Sequence, residues 1–324
     1  MTVPSQTRSS IVVCTQNRAA DLDVTCRSLM SALGEDSPIE VLVVDNGSTD
    51  RTPALLGELA LEYPDRVRSV LEPRPGLSLA RNRGVLEAHG EIIVFLDDDA
   101  LPSSAWLGSL LQAFDDPSVG AAGGPVEPTI TAEFPDWFSA RFLPYLSAWD
   151  LGEETLDLRY SEYPRGTNIA FRRSTLQQVG LFLPQLGRRG SSLRSCEEIE
   201  LCLRLERSGS RILYIPDARV RHKVDISRLT PQWMVKRFAA QGFSEAIMEW
   251  RHAGFEGLNL GRARSRNQAR TMNASGPPTE RLLHDCYKHA ARGYSAGSLY
   301  APLRVPQFRP GAPSQSLGNW LPPR

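Results

Sequence analysis

The chain has 324 residues, 41% of them hydrophobic, with 37 lysines and arginines against 37 aspartates and glutamates. That length holds one large domain with an appendage, or two domains, around a substantial core. The charge balance excludes a globally basic nucleic-acid binder, and five cysteines at 14, 26, 196, 202 and 286, without CxxC spacing, argue against a zinc site and a disulfide framework.

The N-terminal stretch MTVPSQTRSS lacks the apolar core of a signal peptide. No run approaches the roughly 20 apolar residues of a transmembrane helix, so the expectation is a cytoplasmic protein, peripheral to a membrane at most. Residues 10–14 (SIVVC) predict a first strand and residues 20–33 an amphipathic helix stopped by Gly34. A second strand follows at 39–44 (IEVLVV), then a helix at 52–62 with Thr52 as N-cap and Pro53 in its first position. Residues 67–71 make a short third strand, 76–89 a helix ended by Gly90, and 92–96 a fourth strand. Strands and helices alternating at this spacing imply an α/β fold with a parallel, Rossmann-like sheet. Beyond residue 100 the pattern loosens to a helix at 103–114, a glycine-rich strand at 119–126 and an irregular, aromatic-rich stretch to about 160. A helix at 196–208 and a strand at 211–215 restore order, and from Thr230 the chain reads as helical, with a proline-rich tail over 299–324.

The fourth strand runs directly into charge: residues 91–102 read EIIVFLDDDALP. Five apolar residues without alternation suit a strand covered on both faces, which places the aspartates at its C-terminal end, where open α/β sheets bind ligands. Side chains two apart point the same way, so Asp97 and Asp99 face one ligand while Asp98 faces elsewhere. Three like charges this close favour a divalent cation, although an aspartate-rich solvated turn would read the same in isolation. Other strand ends are polar too: Thr15-Gln16-Asn17-Arg18 follows the first, and Asp45-Asn46-Gly47-Ser48-Thr49-Asp50 the second. The second cluster is a turn and helix cap, and Asp45 in it is also placed to hydrogen-bond a base or sugar edge. GxGxxG after the first strand, GxxxxGK[ST] and HExxH are all missing, which disfavours a dehydrogenase, a P-loop kinase and a zinc hydrolase of the HExxH type.

At this point the sequence resembles the family 2 glycosyltransferases, nucleotide-diphospho-sugar transferases of the GT-A fold. SIVVCTQNR, VLVVDNGSTDRT, GLSLARNRGVLEAHGEIIVFLDDDALP, RGTNIAFRRSTLQQVGLF and EEIELCLRLERSGSRILYIPDARVRH stand in that family's order and approximate spacing, over about residues 9–222. The resemblance implies a mostly parallel sheet flanked by helices: a catalytic domain over 9–225, with a nucleotide-binding half (9–100) and an acceptor-binding half (101–225), then a helical extension over 226–298. It implies that Thr15, Asn17, Arg18, Asp45, Asn82, Asp97 and Asp98 bind the nucleotide-sugar, with Asp45 on the base. Asp99 and His222 would bind Mn2+ or Mg2+. The family's ED signature is matched by Glu197-Glu198, one methylene longer, which makes Glu198 the expected catalytic base; acids at a helix N-terminus would also satisfy the macrodipole.

Arg188, Arg189 and Arg194 lie in the glycine-containing loop GRRGSSLRS, where they would either close over the diphosphate or sit in solvent. With Arg165, Asn168 and Glu197 they form the expected acceptor or lid set. Trp137, Trp149, Tyr145 and Tyr160 suit core packing or a stacking platform for the acceptor. The segment from Thr230 to Gly254, with Trp233, Met234, Phe238, Ile247 and Trp250, suits a helical layer packed on the catalytic domain ahead of an interfacial helix pair. The function implied is inverting, metal-dependent transfer from a nucleotide-diphosphate sugar, UDP first and dTDP next, to a glycan, lipid-linked or small-molecule acceptor, with peripheral membrane contact if the acceptor is lipid-linked. The alternatives are a sugar-1-phosphate nucleotidyltransferase and a non-catalytic binding protein of the same fold.

Overall fold

The computed structural model describes residues 9–33 and 39–308. Gly34, the expected stop of the first helix, and residues 309–324 of the expected tail lie outside the described residues. The strands and helices alternate as β1 (Ser9–Thr15), α1 (Ala19–Leu33), β2 (Glu40–Asp45), α2 (Thr52–Glu62), β3 (Val67–Leu71), α3 (Leu77–Glu87) and β4 (Ile92–Asp97). There follow β5 (Ala100–Pro102), α4 (Trp106–Ala113), β6 (Val119–Gly123), β7 (Val126–Thr129), a 3-10 segment (Ala140–Leu146), β8 (Leu156–Asp157) and β9 (Asn168–Arg172). The chain continues through α5 (Arg173–Val179), α6 (Glu197–Arg207), β10 (Arg211–Tyr214) and β11 (Val220–Lys223) to two long helices, α7 (Pro231–Thr271) and α8 (Pro278–Arg304).

The main sheet has the order β3-β2-β1-β4-β9-β6-β10-β8. Parallel pairing joins β3, β2, β1 and β4 and also β6 and β10, while β9 and β8 run the other way. Alternate side chains of the central strands feed two cores, as the two-residue period of a strand requires. Ile11, Val13, Val41, Val43, Val94 and Leu96 pack on one face with Leu22, Leu29, Leu55 and Leu59 of α1 and α2. Val12, Leu42, Val44, Ile93 and Phe95 pack on the other with Ala80, Val85, Leu201 and Leu205 of α3 and α6. Each such side chain, fully buried, stabilises the fold by about 1.5–3 kcal/mol over leaving it in water. The unalternated apolar runs read from sequence are therefore strands covered on both sides.

Two local readings change, and one strand was not expected. Thr52 is the first residue of α2 and not its cap; its backbone N–H is received by the Asp50 carboxylate at 2.9 Å. The glycine-rich strand divides at Gly124 into β6 and β7, because a Cβ there would enter the carbonyls of Ala218 and Ile215. β7 then joins a second sheet of order β5-β11-β7. β9, which carries the motif RGTNIAFRR, is an antiparallel strand inserted between β4 and β6; its five residues are too few for periodicity to separate strand from loop.

In the C-terminal extension Met234 and Phe238 of α7 pack with Phe142, Leu146, Leu283 and Cys286, so residues 230–254 form the packed layer expected of them. α7 breaks at Gly254, whose φ of 58° and ψ of −143° suit glycine alone. α8 runs to Arg304, past the expected boundary at 298, with Pro302 inside its last turn. The two helices approach closely at Gly242 and Gly293, where an added Cβ would meet the carbonyls of Ala290 and Ala239. Among the described residues no helix is long and apolar enough to cross a membrane.

Candidate active site

β1 and β4 are neighbours, with Cys14 opposite Asp97, and their C-terminal ends open into a cavity of about 560 Å³. The three aspartates diverge there. Asp97 accepts a hydrogen bond from the Thr167 hydroxyl at 2.7 Å. Asp98 turns back into the sheet, taking the Thr15 hydroxyl at 2.6 Å, with the Arg18 guanidinium 3.4 Å away. Burial pushes the Asp98 carboxyl up to about 7, against the pull of Arg18. Asp99 lies 2.8 Å from Arg18 and 3.3 Å from Nε2 of His222. Burial opposes its charge, yet the bond from His222 and the charge of Arg18 hold its carboxyl below the usual range.

The small sheet delivers His222. β11 pairs antiparallel with β5, setting His222 opposite Ala100, and the Lys223 N–H donates to the Asp99 carbonyl at 2.9 Å. Asp97, Asp99 and His222 each present a donor atom within 4.8 Å of the others. Nδ1 of His222 is buried without a partner. Two carboxylates and an imidazole fit a Mn2+ or Mg2+ ion in donor chemistry.

The second carboxylate pair opens α6. Cys196, in the left-handed region at φ 69°, turns the chain into the helix, and Glu197 and Glu198 occupy its first turn, where the dipole favours acids. Glu197 is buried and bound to Nη1 of Arg81 at 2.7 Å. Burial and the adjacent Glu198 nevertheless push its carboxyl above the ordinary value, with Arg81 opposing. Glu198 faces the cavity; its Oε1 accepts a long 3.4 Å contact from the Gly166 N–H, and its Oε2 is without a partner. Arg81, from α3, also reaches Asp97 at 3.4 Å and the Gly166 carbonyl at 3.0 Å. Burial works against its charge, but Glu197 and Asp97 outweigh that and raise its pKa.

Of the residues singled out in the sequence, Thr15, Arg18, Asp97, Asp98, Asp99, Arg165, Arg188, Arg194, Glu197, Glu198 and His222 line this cavity. Five others are not among its lining residues. Asn17 accepts the Thr49 and Asp50 N–H groups, tying the β1 and β2 loops together. Asp45 accepts the Ser48 N–H at 2.9 Å as a turn cap. Asn82 clamps the backbone of Phe182 through both ends of its amide. Asn168 takes the Trp106 indole N–H at 2.8 Å and donates to the carbonyls of Pro125 and Ala218. Arg189 is exposed, in a bridge with Ser192.

Sequence reasoning missed Arg81, Arg228, Arg237, Gln241 and Glu245, all of which line the cavity. Arg81 carried one signal: it falls on the buried face of α3, between Ala80 and Gly84. α7 supplies the last three residues, and its polar positions look like any solvated helix face until the hairpin is folded onto the domain.

The sheet, its strand-end carboxylates and the acidic start of α6 define a glycosyltransferase of the GT-A class. The chain belongs to glycosyl transferase family 2, whose sequence model matches residues 10–180. It is 29% identical over 247 residues to a glucosyl-dolichyl phosphate glucuronosyltransferase of Haloferax volcanii, covering 74% of this chain and 77% of that one. It is 30% identical to the succinoglycan biosynthesis protein ExoM of Rhizobium meliloti, covering 72% of this chain and 73% of that protein. Another relative at 30% identity is a pre-mycofactocin glycosyltransferase of Mycobacterium tuberculosis, of which the match covers 49%. Among solved structures, a mannosyltransferase of Pyrobaculum calidifontis in complex with GDP-mannose and Mn2+ superposes with a TM-score of 0.53 at 23% identity, covering 93% of this chain and 76% of that one. GalNAc-T7 with UDP, GalNAc and Mn2+ gives 0.56 at 15% identity, covering 94% and 58%. These two carry the fold. Family membership decides for a glycosyltransferase over the nucleotidyltransferase and non-catalytic readings.

Proposed function

We propose that the protein is an inverting, metal-dependent glycosyltransferase that moves a sugar from a nucleotide-diphosphate donor, UDP first, to an acceptor hydroxyl. The single observation that carries the mechanism is the division of labour in Glu197-Glu198: both line the cavity and each keeps one carboxylate oxygen without a partner, but the first is held in an ion pair with Arg81 and the second, among the described residues, has no ion-pair partner. The donor lies along the ends of β1 and β4 within the half formed by 9–100, and the acceptor enters over the half formed by 101–225. Asp97, Asp99 and His222 would hold Mn2+ or Mg2+, which when bound offsets the charge of the departing diphosphate.

Glu198 takes the proton of the acceptor hydroxyl as its oxygen attacks the anomeric carbon from the face opposite the leaving group, so the configuration inverts. Arg81 keeps Glu197 and Asp97 at a fixed separation, which fixes the start of α6 relative to the aspartates. Arg228, 3.9 Å from Asp99, and Arg188, which lines the same wall, face the diphosphate and receive the charge that develops on it.

The test is Glu198→Gln measured beside Glu197→Gln in single turnover with saturating donor. Glu198→Gln is expected to keep donor binding and lose turnover by about 10² to 10⁴, the usual contribution of a positioned base. If Glu197→Gln abolishes transfer while Glu198→Gln stays active, the base is Glu197; if both stay active, the inverting mechanism fails.

A further inference from the structure

Eight arginines and six carboxylates line the cavity among the described residues, an excess of two positive charges. A divalent cation and the diphosphate of a sugar nucleotide cancel each other and leave that excess standing. At the acidic end the arginines are matched: Arg18 to Asp98 and Asp99, Arg81 to Asp97 and Glu197. At the other end they are not. Arg165 and Arg237 each bury Nε without a partner. Arg237 spends one other N–H on Gln241 at 2.9 Å and lies 5.6 Å from the Tyr145 ring, while Arg165 lies 5.9 Å from the Trp149 ring. Burial lowers the pKa of Arg165 and the charge of Arg237 adds to that, with Glu198 foremost among the opposing charges. Two guanidiniums that repel one another in a part-buried site, each with an unused donor, await an anion.

We propose that Arg165 and Arg237 form a phosphate subsite beside Glu198 that binds the acceptor, so that the acceptor is a phosphate-bearing molecule. The assignment rests on the glycosyltransferase reading above. One fork saturates a carboxylate, whereas a phosphate monoester has oxygens for two forks arriving from different elements, here the loop before β9 and α7. The site exists only because α7 is folded against the domain, and it places the negative group of the acceptor next to the base that deprotonates its hydroxyl. A lipid-linked phosphate and a soluble sugar phosphate share this chemistry.

Calorimetry on the full chain saturated with Mn2+ and UDP tests it, with methyl phosphate as the probe and glucuronate as the carboxylate control. Methyl phosphate should bind in addition to UDP. Arg237→Gln and Arg165→Gln should each weaken it at least tenfold while moving UDP affinity less than threefold, and Arg237→Lys should recover part of the loss. Should Arg237→Gln not fold, Arg165→Gln gives the same reading from outside the helix. Octyl phosphate binding tighter than methyl phosphate identifies a lipid acceptor; glucose 1-phosphate binding tighter identifies a soluble one. Loss of the methyl phosphate signal on saturation with UDP, equal weakening of UDP in the variants, or equal binding of glucuronate overturns the proposal. Failure of UDP, dTDP and GDP to bind with Mn2+ would instead defeat the transferase reading, while methyl phosphate and the two variants still report on the subsite in nucleotide-free protein.

Discussion

Gly166 sets the position of Arg81, and through it two carboxylates. A Cβ on Gly166 would stand 2.6 and 2.8 Å from the two Nη atoms of Arg81, so the guanidinium must leave either Glu197 or Asp97 if residue 166 gains a methyl group. Gly166→Ala is therefore expected to lower kcat/KM by about 10²-fold, the usual penalty for a small misplacement of reacting groups, with a melting temperature close to the parent. Steady-state kinetics beside a melting curve decide this, and an unchanged kcat/KM would show that Arg81 does not position the pair. The residues proposed to hold the metal give a second expectation. Calorimetry on EDTA-treated protein should show Mn2+ restoring donor binding, and Asp99→Asn or His222→Ala removing that restoration; donor affinity undiminished without metal would end the ligand assignment. At this scale the sequence was informative about phase and silent about partners. Two-residue alternation separated Asp98 from Asp97 and Asp99. Nothing along the chain distinguished Asn82 and Asn168, which clamp backbone, from asparagines that touch a ligand, because both uses call for a buried amide.

α6 is held from behind as well as in front. Glu200, wholly buried, accepts Arg204 at 2.8 Å, Arg251 at 2.6 Å and Nε2 of His252 at 3.1 Å, joining the helix that bears Glu198 to α7. Burial opposes the Glu200 charge, but Arg204, His252 and Arg251 hold its carboxyl far below the usual range. Burial and the neighbouring arginines lower His252, despite Glu200; with Arg207 Nη1 2.9 Å from Nδ1, the neutral ring donates through Nε2. Both folded-state pKa values lie below their unfolded ones, so in each case the unfolded chain binds the proton more readily. Stability from Glu200 is present above its unfolded carboxylate value and is lost as pH falls towards the folded one; that from His252 starts to fall below about 6.5, its unfolded value. Melting temperature should thus drop from pH 7 to pH 3, and Glu200→Gln should flatten the lower part of that curve; an unchanged curve would refute the linkage. Gly242→Ala or Gly293→Ala should destabilise the α7–α8 pair by about 1–3 kcal/mol through overpacking, read by urea unfolding. Strands β1, β2 and β4 were legible because their apolar runs are unbroken, and β3 because it falls between two helices in an alternating series. β9 and the small sheet were not, since strands of three to five residues outside that alternation carry no period of their own and pair with distant segments.

Over the whole molecule, the strand-end side of the cavity is made by elements within the family match, and the far wall by a hairpin beyond residue 180, where that match ends. Ligand binding should stabilise the chain: UDP with Mn2+ at a hundred times its dissociation constant adds about 2.7 kcal/mol, seen as a higher melting temperature. A variant ending after Val224 would bare Phe142 and Leu146, which the hairpin now covers, and is expected to aggregate; a soluble, donor-binding monomer would show the hairpin to be dispensable for folding.

The break at Gly254 also bears on ancestry. It divides α7 into a segment that carries Arg237, Gln241 and Glu245 into the cavity and a segment that packs back on the first through Arg264 to Glu249 and Phe255 to Trp250, and also on Tyr294 of α8. Recombination downstream of β11 would then exchange the hairpin wall as one heritable cassette, leaving the strand-end carboxylates of the parent untouched.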